Sequence, residues 1–347
     1  MSTMELVQRA HRKYEQDGAK SLWTEGKYTL FESKQFRSVL KNYLIDRNSV
    51  ERIDYDDLCQ IARSTSSFWN TFDDERWDSI TEPIPTKMHV PETRSFDRLE
   101  TSEPVSPAVM EIADCTLIHP FGLTLCKRGI LQETIAKSAA SSSRIEKALS
   151  KSVSDHGYRE INNLITGTET NSLESLSIAT PLLMLWNNYY HWSMECLPRL
   201  AGVERYRQET GNEPSIIIPE DPSSWMLESL RLLGIKEDQL HELETHCTVD
   251  RLVVPTHPGP TLAECQWLRD RMYQSAKESS TIDESMDHRI YVSRQSATRR
   301  RATNEDEVVE MLRSYGFERY ALEELSVADQ VIYSLMRTQS YRHMVLV

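Results

Sequence analysis

Residues 211–255 read "GNEPSIIIPEDPSSWMLESLRLLGIKEDQLHELETHCTVDRLVVP". Two short apolar runs, 214–219 and 249–255, flank a stretch at 223–233 whose apolar residues recur at helical spacing and stop at Gly234. An apolar run of this length bounded by Pro and Gly is the pattern of a buried strand. Gly just past the last periodic residue is an ordinary helix stop. Working outward, the alternation continues. A helix over 188–210 precedes Gly211. A helix over 261–277, a strand at 288–294, a helix over 304–315 ending at Gly316, a strand in "FERYAL" and a helix from Ser326 follow. Strands separated by helices in this order imply an α/β fold with a parallel, helix-covered sheet. Ligands on such sheets bind beyond the carboxyl ends of the strands.

Before residue 188 the pattern changes. "SKQFRSVLKNYLIDR" (33–47) places Phe36, Val39, Leu40 and Leu44 on one side of a helix. Arg9, Arg12, Lys13 and Lys20 lie near Trp23, Tyr28 and Phe31. This pattern is read as a packed or partner-facing arm over 1–62, with peripheral membrane contact through these helices as the alternative. Residues 63–110 are poor in aliphatics and rich in Pro, Ser and Asp, the composition of an irregular linker. "DCTLIHPFGLTLCKRGIL" (114–131) reads as short strands broken by turns, and the Ser-rich 137–155 as an inserted helix or loop. The expected organisation is an arm (1–62), a linker (63–110), an α/β domain (111–280) and the start of a second one (281–347).

A net charge of −13 excludes a general nucleic-acid binder, because phosphate contacts need a basic surface. The six cysteines show no short pairing, so neither a disulfide framework nor a zinc ribbon is expected, and the thiols are read as reduced. No run approaches the ~20 apolar residues of a membrane span. The start "MSTMELVQRAHRKYEQDG" has no signal-peptide core. The expected place is the cytoplasm, or the inner face of the membrane.

Two clusters carry chemistry. In "WNNYYHWSMECLPRL" (186–200) the helical part opens on two Asn, both good N-caps. His191 and Glu195 then project from one face, four residues apart. They form a proton-transfer pair or a buried hydrogen-bonded pair. Trp192 reads as core. The second cluster follows "RIYVS": Arg294, then Arg299, Arg300 and Arg301, then Asn304 and Glu305 at a helix start. Guanidinium groups between a strand end and a helix N-terminus suit a diphosphate; the alternative is a solvated basic turn. Asn304 with Glu307 reads as a capping box. No GxGxxG or P-loop occurs, and "HELETH" (241–246) spaces its histidines five apart rather than in the zincin pattern. A metallohydrolase using His191 and Glu195 would need a third ligand. No metal is assigned.

"NYYHWSMECLPRL" together with "IYVSRQSATRRRATNEDEVVEMLRSYGFERYALEELSVADQV" resembles glycosyltransferase family 61 over roughly residues 110–334. The resemblance implies a GT-B-like enzyme with two Rossmann-type halves, metal-independent and inverting. It implies a nucleotide-sugar donor, no separate cofactor, and a glycan or lipid-linked glycan acceptor, in surface polysaccharide or glycoprotein glycan synthesis. By the same resemblance Glu195 is the candidate general base and His191 orients it or the acceptor. Asn187 and Tyr190 shape the acceptor pocket, and Trp186 stacks on sugar. Arg294 with Arg300 or Arg301 holds the donor diphosphate, and Glu324 either accepts from a ribose or base edge or serves simply as a helix N-terminal residue.

The last residues depart from that family's pattern. After "ELSVADQVIYS" a helix, a strand and a His-Gly-Ala-type loop are expected, and "LMRTQSYRHMVLV" stands instead. Permitted codons for 334–347, read one base earlier, give "ADADSVVSTHGAG", and the shifted codon spanning Met344 and Val345 encodes Gly whatever codons are used. The expectation is a frameshifted, truncated chain with an incomplete C-terminal half and a bare sheet edge, poorly soluble and without transfer activity; the alternatives are a genuine short variant and a non-catalytic remnant or binding protein.

Overall fold

The computed structural model describes residues 30–64, 69–71, 108–126, 129–134, 143–168, 173–183, 185–186, 188–256, 262–282, 289–297, 301–335 and 345–346. The chain forms two compact units. One comprises Met1–Asp221 with Gln239–Glu264, the other Pro222–Asp238 with Cys265–Val347.

The first unit is built on a nine-stranded sheet of β1 (Glu51–Ile53), β2 (Trp69–Thr71), β3 (Ala108–Ile118), β4 (Leu123–Cys126), β5 (Gly129–Leu131), β6 (Glu174–Pro181), β7 (Ser215–Pro219), β8 (Leu240–Leu243) and β9 (Cys247–Pro255). The order is β1-β5-β4-β3-β9-β6-β7-β8, with β2 also paired to β3. Strands β9, β6, β7 and β8 run parallel; β7 and β9 fall where the alternation places strands, and β6 and β8 are additional to it. The other half departs from an all-parallel sheet: β3 is antiparallel to β9, to β4 and to β2, and β4 is antiparallel to β5. For the β3–β4 and β4–β5 pairs the cause is connection length. Four residues join β3 to β4 and two join β4 to β5, and a parallel pair needs a crossover of a dozen or more. The β3–β4 turn requires Gly122: its φ is +66°, and a Cβ there would lie 2.2 Å from Leu183 Cδ1.

Met110, Ile112, Cys115 and Leu117 of β3 pack with Val249, Leu252 and Val254 of β9 in the main core. A second core gathers Leu40, Leu44 and Ile45 with Ile145, Leu149 and Val153 of α3 (Ser143–His156) and Ile161 and Leu164 of α4 (Tyr158–Thr166). Residues of the expected arm therefore enter this unit. α1 (Lys34–Lys41) and its π-helical extension to Asp46 bury Leu40 and Leu44, whereas Val39 is half exposed. β1, followed by α2 (Tyr55–Ser64), joins the sheet beside β5. The second core is where Phe31 meets Phe36 edge to face, at 5.1 Å. The basic residues before position 29 lie outside the described residues. α5 (Arg199–Thr210) follows β6 and lies close over the sheet. A Cβ on Gly202 would come within 2.8 Å of Pro255 Cβ and 3.6 Å of Val109 Cβ. All six cysteines are free thiols, in keeping with the sequence.

A histidine cluster clips the β3–β4 turn. The His119 N–H donates to His246 Nδ1 at 3.0 Å, and Ser152 Oγ donates to the His119 carbonyl at 2.7 Å. His119 Nδ1 lies 2.8 Å from His156 Nε2, and its Nε2 lies 3.1 Å from Glu220. Glu160 Oε1 sits 3.2 Å from His246 Nε2. Because Nδ1 of His246 accepts a backbone hydrogen bond, that ring must be neutral with its proton on Nε2. Burial, followed by the neighbouring His156 and His119, lowers the His246 pKa to about 4, and burial lowers that of His119 as well.

The second unit holds a parallel three-stranded sheet, β11 (Phe317–Tyr320), β10 (Arg289–Val292), β12 (Val345–Leu346), in that order. Its helices are α6 (Ser224–Leu232), α7 (Leu262–Ser279), α8 (Glu305–Arg313) and α9 (Val327–Leu335). Ile290 and Val292 face Tyr333 on one side of β10, and Tyr291 faces Val309 and Leu312 on the other, the period-two pattern of a strand covered on both faces. On its other side β10 pairs with Val345 and Leu346 of β12. Asp329 anchors α9: its N–H donates to Ser326 Oγ, and its carboxylate accepts from Ser280 Oγ at 2.6 Å and Thr281 N–H at 2.9 Å. Burial alone would raise the Asp329 pKa, but these hydrogen bonds outweigh it and hold the group low.

The histidine clip predicts an acid-sensitive fold. His246 takes its proton near pH 6.5 in the unfolded chain and near pH 4 in the folded one, so between these values the unfolded state binds more protons. Stability falls as pH drops through this window, by up to about 3 kcal/mol from this group. Chemical denaturation at pH 7, 6, 5 and 4 measures the slope, and His246→Gln flattens it. An unchanged slope in the variant refutes the assignment.

Candidate functional site

The segment after β6 was read as one helix over 188–210, and the structure divides it. Asn188 caps the first turn, its Oδ1 accepting the His191 N–H at 3.1 Å. Residues 189–191 form one α-turn. Trp192–Cys196 then form a π-helical turn, closed by Leu197 N–H to the Trp192 carbonyl at 2.9 Å. Pro198 follows and has no N–H to continue the ladder. α5 starts beyond it. Such π insertions are frequent at functional sites.

The turn leaves the Glu195 carbonyl for a side chain. Arg199, buried at 6 % exposure, donates from Nε to the Glu195 carbonyl at 2.9 Å and from Nη1 to the Glu133 carbonyl at 2.7 Å. Trp192 is fully buried, as expected of a core residue, and the Cys196 thiol bonds the Leu183 carbonyl at 3.6 Å. Burial pushes the Cys196 pKa up to about 12, so it is no nucleophile.

His191 and Glu195 meet as the spacing predicts. His191 Nδ1, a buried nitrogen, lies 3.1 Å from Glu195 Oε1, off the line of an aligned hydrogen bond. Glu195 Oε2 lies 3.6 Å from Arg144 Nη1. Sequence reasoning missed Arg144, which comes from α3, some fifty residues away, and carried no local signal. Trp186 stacks on His191 with centroids 4.9 Å apart and planes 26° apart; Arg144 and Lys147 lie over the same indole at 4.7 and 5.2 Å. Trp186 thus uses its ring surface on protein groups. Tyr190 meets His191 edge-on at 5.3 Å and is 59 % exposed, so it is the open aromatic face of the site. Asn187 lies outside the described residues.

The basic cluster forms a second group, within the second unit. β10 ends at Val292, and the loop beyond it returns to α8. Arg294 and Arg301 are exposed, and Arg301 Nη1 donates to the Gln295 carbonyl at 3.4 Å. Arg299 and Arg300 lie outside the described residues. Glu305 was read only as a helix-start residue, yet it is buried. Its pKa is held low, first by the hydrogen bond from Ser293, then by Tyr291 and the Arg294 N–H, against the effect of burial. This carboxylate ties the first residues of the arginine loop to the start of α8. The capping box takes a different form: Asn304 Nδ2 donates to Glu307 Oε2 at 3.3 Å, and the Asn304 side chain makes no bond to the helix backbone. Glu324 is exposed on the turn after β11, where its neighbour Glu323 is the residue that bonds Ser296 of the arginine loop.

Among the described residues one grouping has the spacing of metal ligands, His156, Glu160 and His246, and it lacks His191 and Glu195. The amide proton on His246 Nδ1 fixes the other proton on Nε2, which leaves that ring no lone pair for a cation.

A His–carboxylate pair on a braced turn after one strand, and exposed arginines beyond another, are thus the two groups in this chain with the makings of chemistry. Residues 189–337, which include both groups, match the family model described as Glycosyltransferase 61, so this segment is similar to the glycosyltransferases of that family. No curated protein and no solved structure matches the chain.

The Arg199 fork predicts that Arg199→Met lowers stability by about 3 kcal/mol, the loss of two charge-assisted bonds of roughly 1.5–3 kcal/mol each with partial relaxation. Arg199→Lys does not restore it, because a single ammonium cannot reach both carbonyls in the same fork. Equilibrium urea unfolding of the three proteins checks both statements.

Proposed function

We propose that the chain transfers a sugar from a nucleotide-sugar donor to a hydroxyl of a glycan or lipid-linked glycan, with inversion and without a metal. The setting is cell-surface polysaccharide or glycoprotein glycan synthesis, at the cytoplasmic face of the membrane, in a GT-B-like arrangement of two Rossmann-type halves. The observation that carries this reading is the His191–Glu195 pair, braced by Arg144 and lying within the segment that matches the family 61 model.

In this reading the acceptor oxygen attacks the anomeric carbon as the bond to the donor phosphate breaks. The nucleoside diphosphate leaves with the electron pair. Arg294 and Arg301, with Arg300, offset its charge, and Glu305 fixes the Arg294 amide from below. The acceptor proton goes to the pair. Both Glu195 oxygens already meet a neighbour, and the side chain is 13 % exposed against 21 % for His191. With Nδ1 buried against the carboxylate, His191 Nε2 is the nitrogen left to receive the proton, and Glu195 holds the ring and balances the imidazolium. This gives His191 the role of base that the sequence reading gave to Glu195. Tyr190 is the acceptor-facing aromatic surface.

Two measurements test the reading. In EDTA, hydrolysis or transfer of a nucleotide sugar by the full chain falls about 10³-fold in His191→Asn and less in Glu195→Gln, with donor affinity unchanged in both. A larger loss in Glu195→Gln returns the base role to Glu195, and activity that requires a divalent cation refutes the metal-independent mechanism. Arg294→Ala lowers affinity for UDP, GDP or CMP in calorimetry at an unchanged melting temperature. Equal affinity in the variant removes the donor-site assignment.

A further inference from the structure

The surroundings of Trp186 specify the acceptor more closely, given the site proposed above. Arg144 and Lys147 stand one turn apart on α3, and both are held over the Trp186 ring. A cation over an indole is partly ordered before any ligand arrives, so these are directed charges rather than freely moving side chains. Arg144 spends its charge on Glu195 Oε2. Lys147 makes no ion pair among the described residues, and its ammonium lies 5.2 Å from the centre of the indole. In a chain of net charge −13 this half-buried cation is left over beside the proton-accepting pair. The groups around it are Arg144 and Glu146 on its own helix, Trp186, and the His191–Glu195 pair beyond the indole. Arg144 and Glu195 offset each other, so Lys147 sets the sign of the site's wall.

We propose that the acceptor is an anionic glycan, whose carboxylate or phosphate is received by Lys147 while its accepting hydroxyl is presented to His191. The open face of Tyr190, which meets His191 edge-on, takes the apolar face of the same sugar. The ligand is thus held at three points, an anion at Lys147, a ring face at Tyr190 and a hydroxyl at His191. Arg144 and Lys147 lie outside the matched family 61 segment, so the charge preference is a property of this chain's N-terminal unit.

The test is binding of small probes to the full chain by calorimetry at low salt: methyl β-glucoside, methyl β-glucuronide and glucose 6-phosphate. At least one anionic probe binds about tenfold more tightly than the glucoside, the lower end of what one charge-assisted hydrogen bond supplies. The two anionic arms tell carboxylate from phosphate. Lys147→Gln abolishes the difference, Lys147→Arg keeps it, and UDP affinity and melting temperature stay constant in both variants. Three results overturn the proposal: no preference for an anionic probe, including no binding of any probe; a preference that survives in Lys147→Gln; or a fall in UDP affinity, which would place Lys147 in the donor site. The outcome is separable from that of the catalytic reading. A lysine-dependent preference in a chain that transfers no sugar leaves the acceptor site standing and removes the catalytic assignment.

Discussion

One buried guanidinium decides the geometry of the acceptor-side site. Arg199 joins the carbonyl of Glu195, within the π-helical turn, to the carbonyl of Glu133, just past β5. A π turn followed by proline leaves carbonyl oxygens that a helix would have satisfied, and in a buried setting each unpaired one is costly. Arg199 satisfies one of them and at the same stroke fixes the turn to the antiparallel half of the sheet. The positions of His191 and Glu195 follow from that anchorage. Their own mutual contact at 3.1 Å is poorly aligned and would not hold the turn alone.

The electrostatics of the site are built in layers on this frame. Arg144 opposes Glu195, the His191 ring lies on Trp186, and Trp186 carries the two cations of α3. In the second unit a single buried carboxylate, Glu305, has a comparable organising position under the arginine loop. In each unit a buried charged group that meets nearby backbone or hydroxyl groups, Arg199 in one and Glu305 in the other, holds a loop or turn that carries exposed functional side chains.

What could be read in the sequence was what short-range pattern encodes. Strands β7, β9, β10 and β11 and helices α5 to α9 were legible because Pro and Gly punctuate each apolar period. The Asn188 cap and the meeting of His191 with Glu195 were legible because both depend on three- and four-residue spacing. The antiparallel half was not, although the short links around Gly122 and Lys127–Arg128 carried the signal in their length. Arg144, Lys147 and the Arg199–Glu133 bond join residues roughly forty to seventy positions apart, and no local period reports such a contact. The capping box at Asn304 illustrates the limit from the other side: the right residues at the right spacing bond each other, while the neighbouring Glu305 turns under the loop.

The close approach of α5 to the sheet at Gly202 bears on how sequence variants of this chain should be interpreted. A side chain at that position must lift the helix away from Pro255 and Val109, and α5 begins at Arg199. Displacement of its first turn would pull the guanidinium from the two carbonyls and disorder the turn that carries His191. A substitution at 202 would then be scored as a catalytic defect in any activity screen, although no atom of that residue meets a substrate. Position 202 would rank with the reactive residues in a map of intolerant sites, and a thermal melt measured alongside activity is what separates the two kinds of loss.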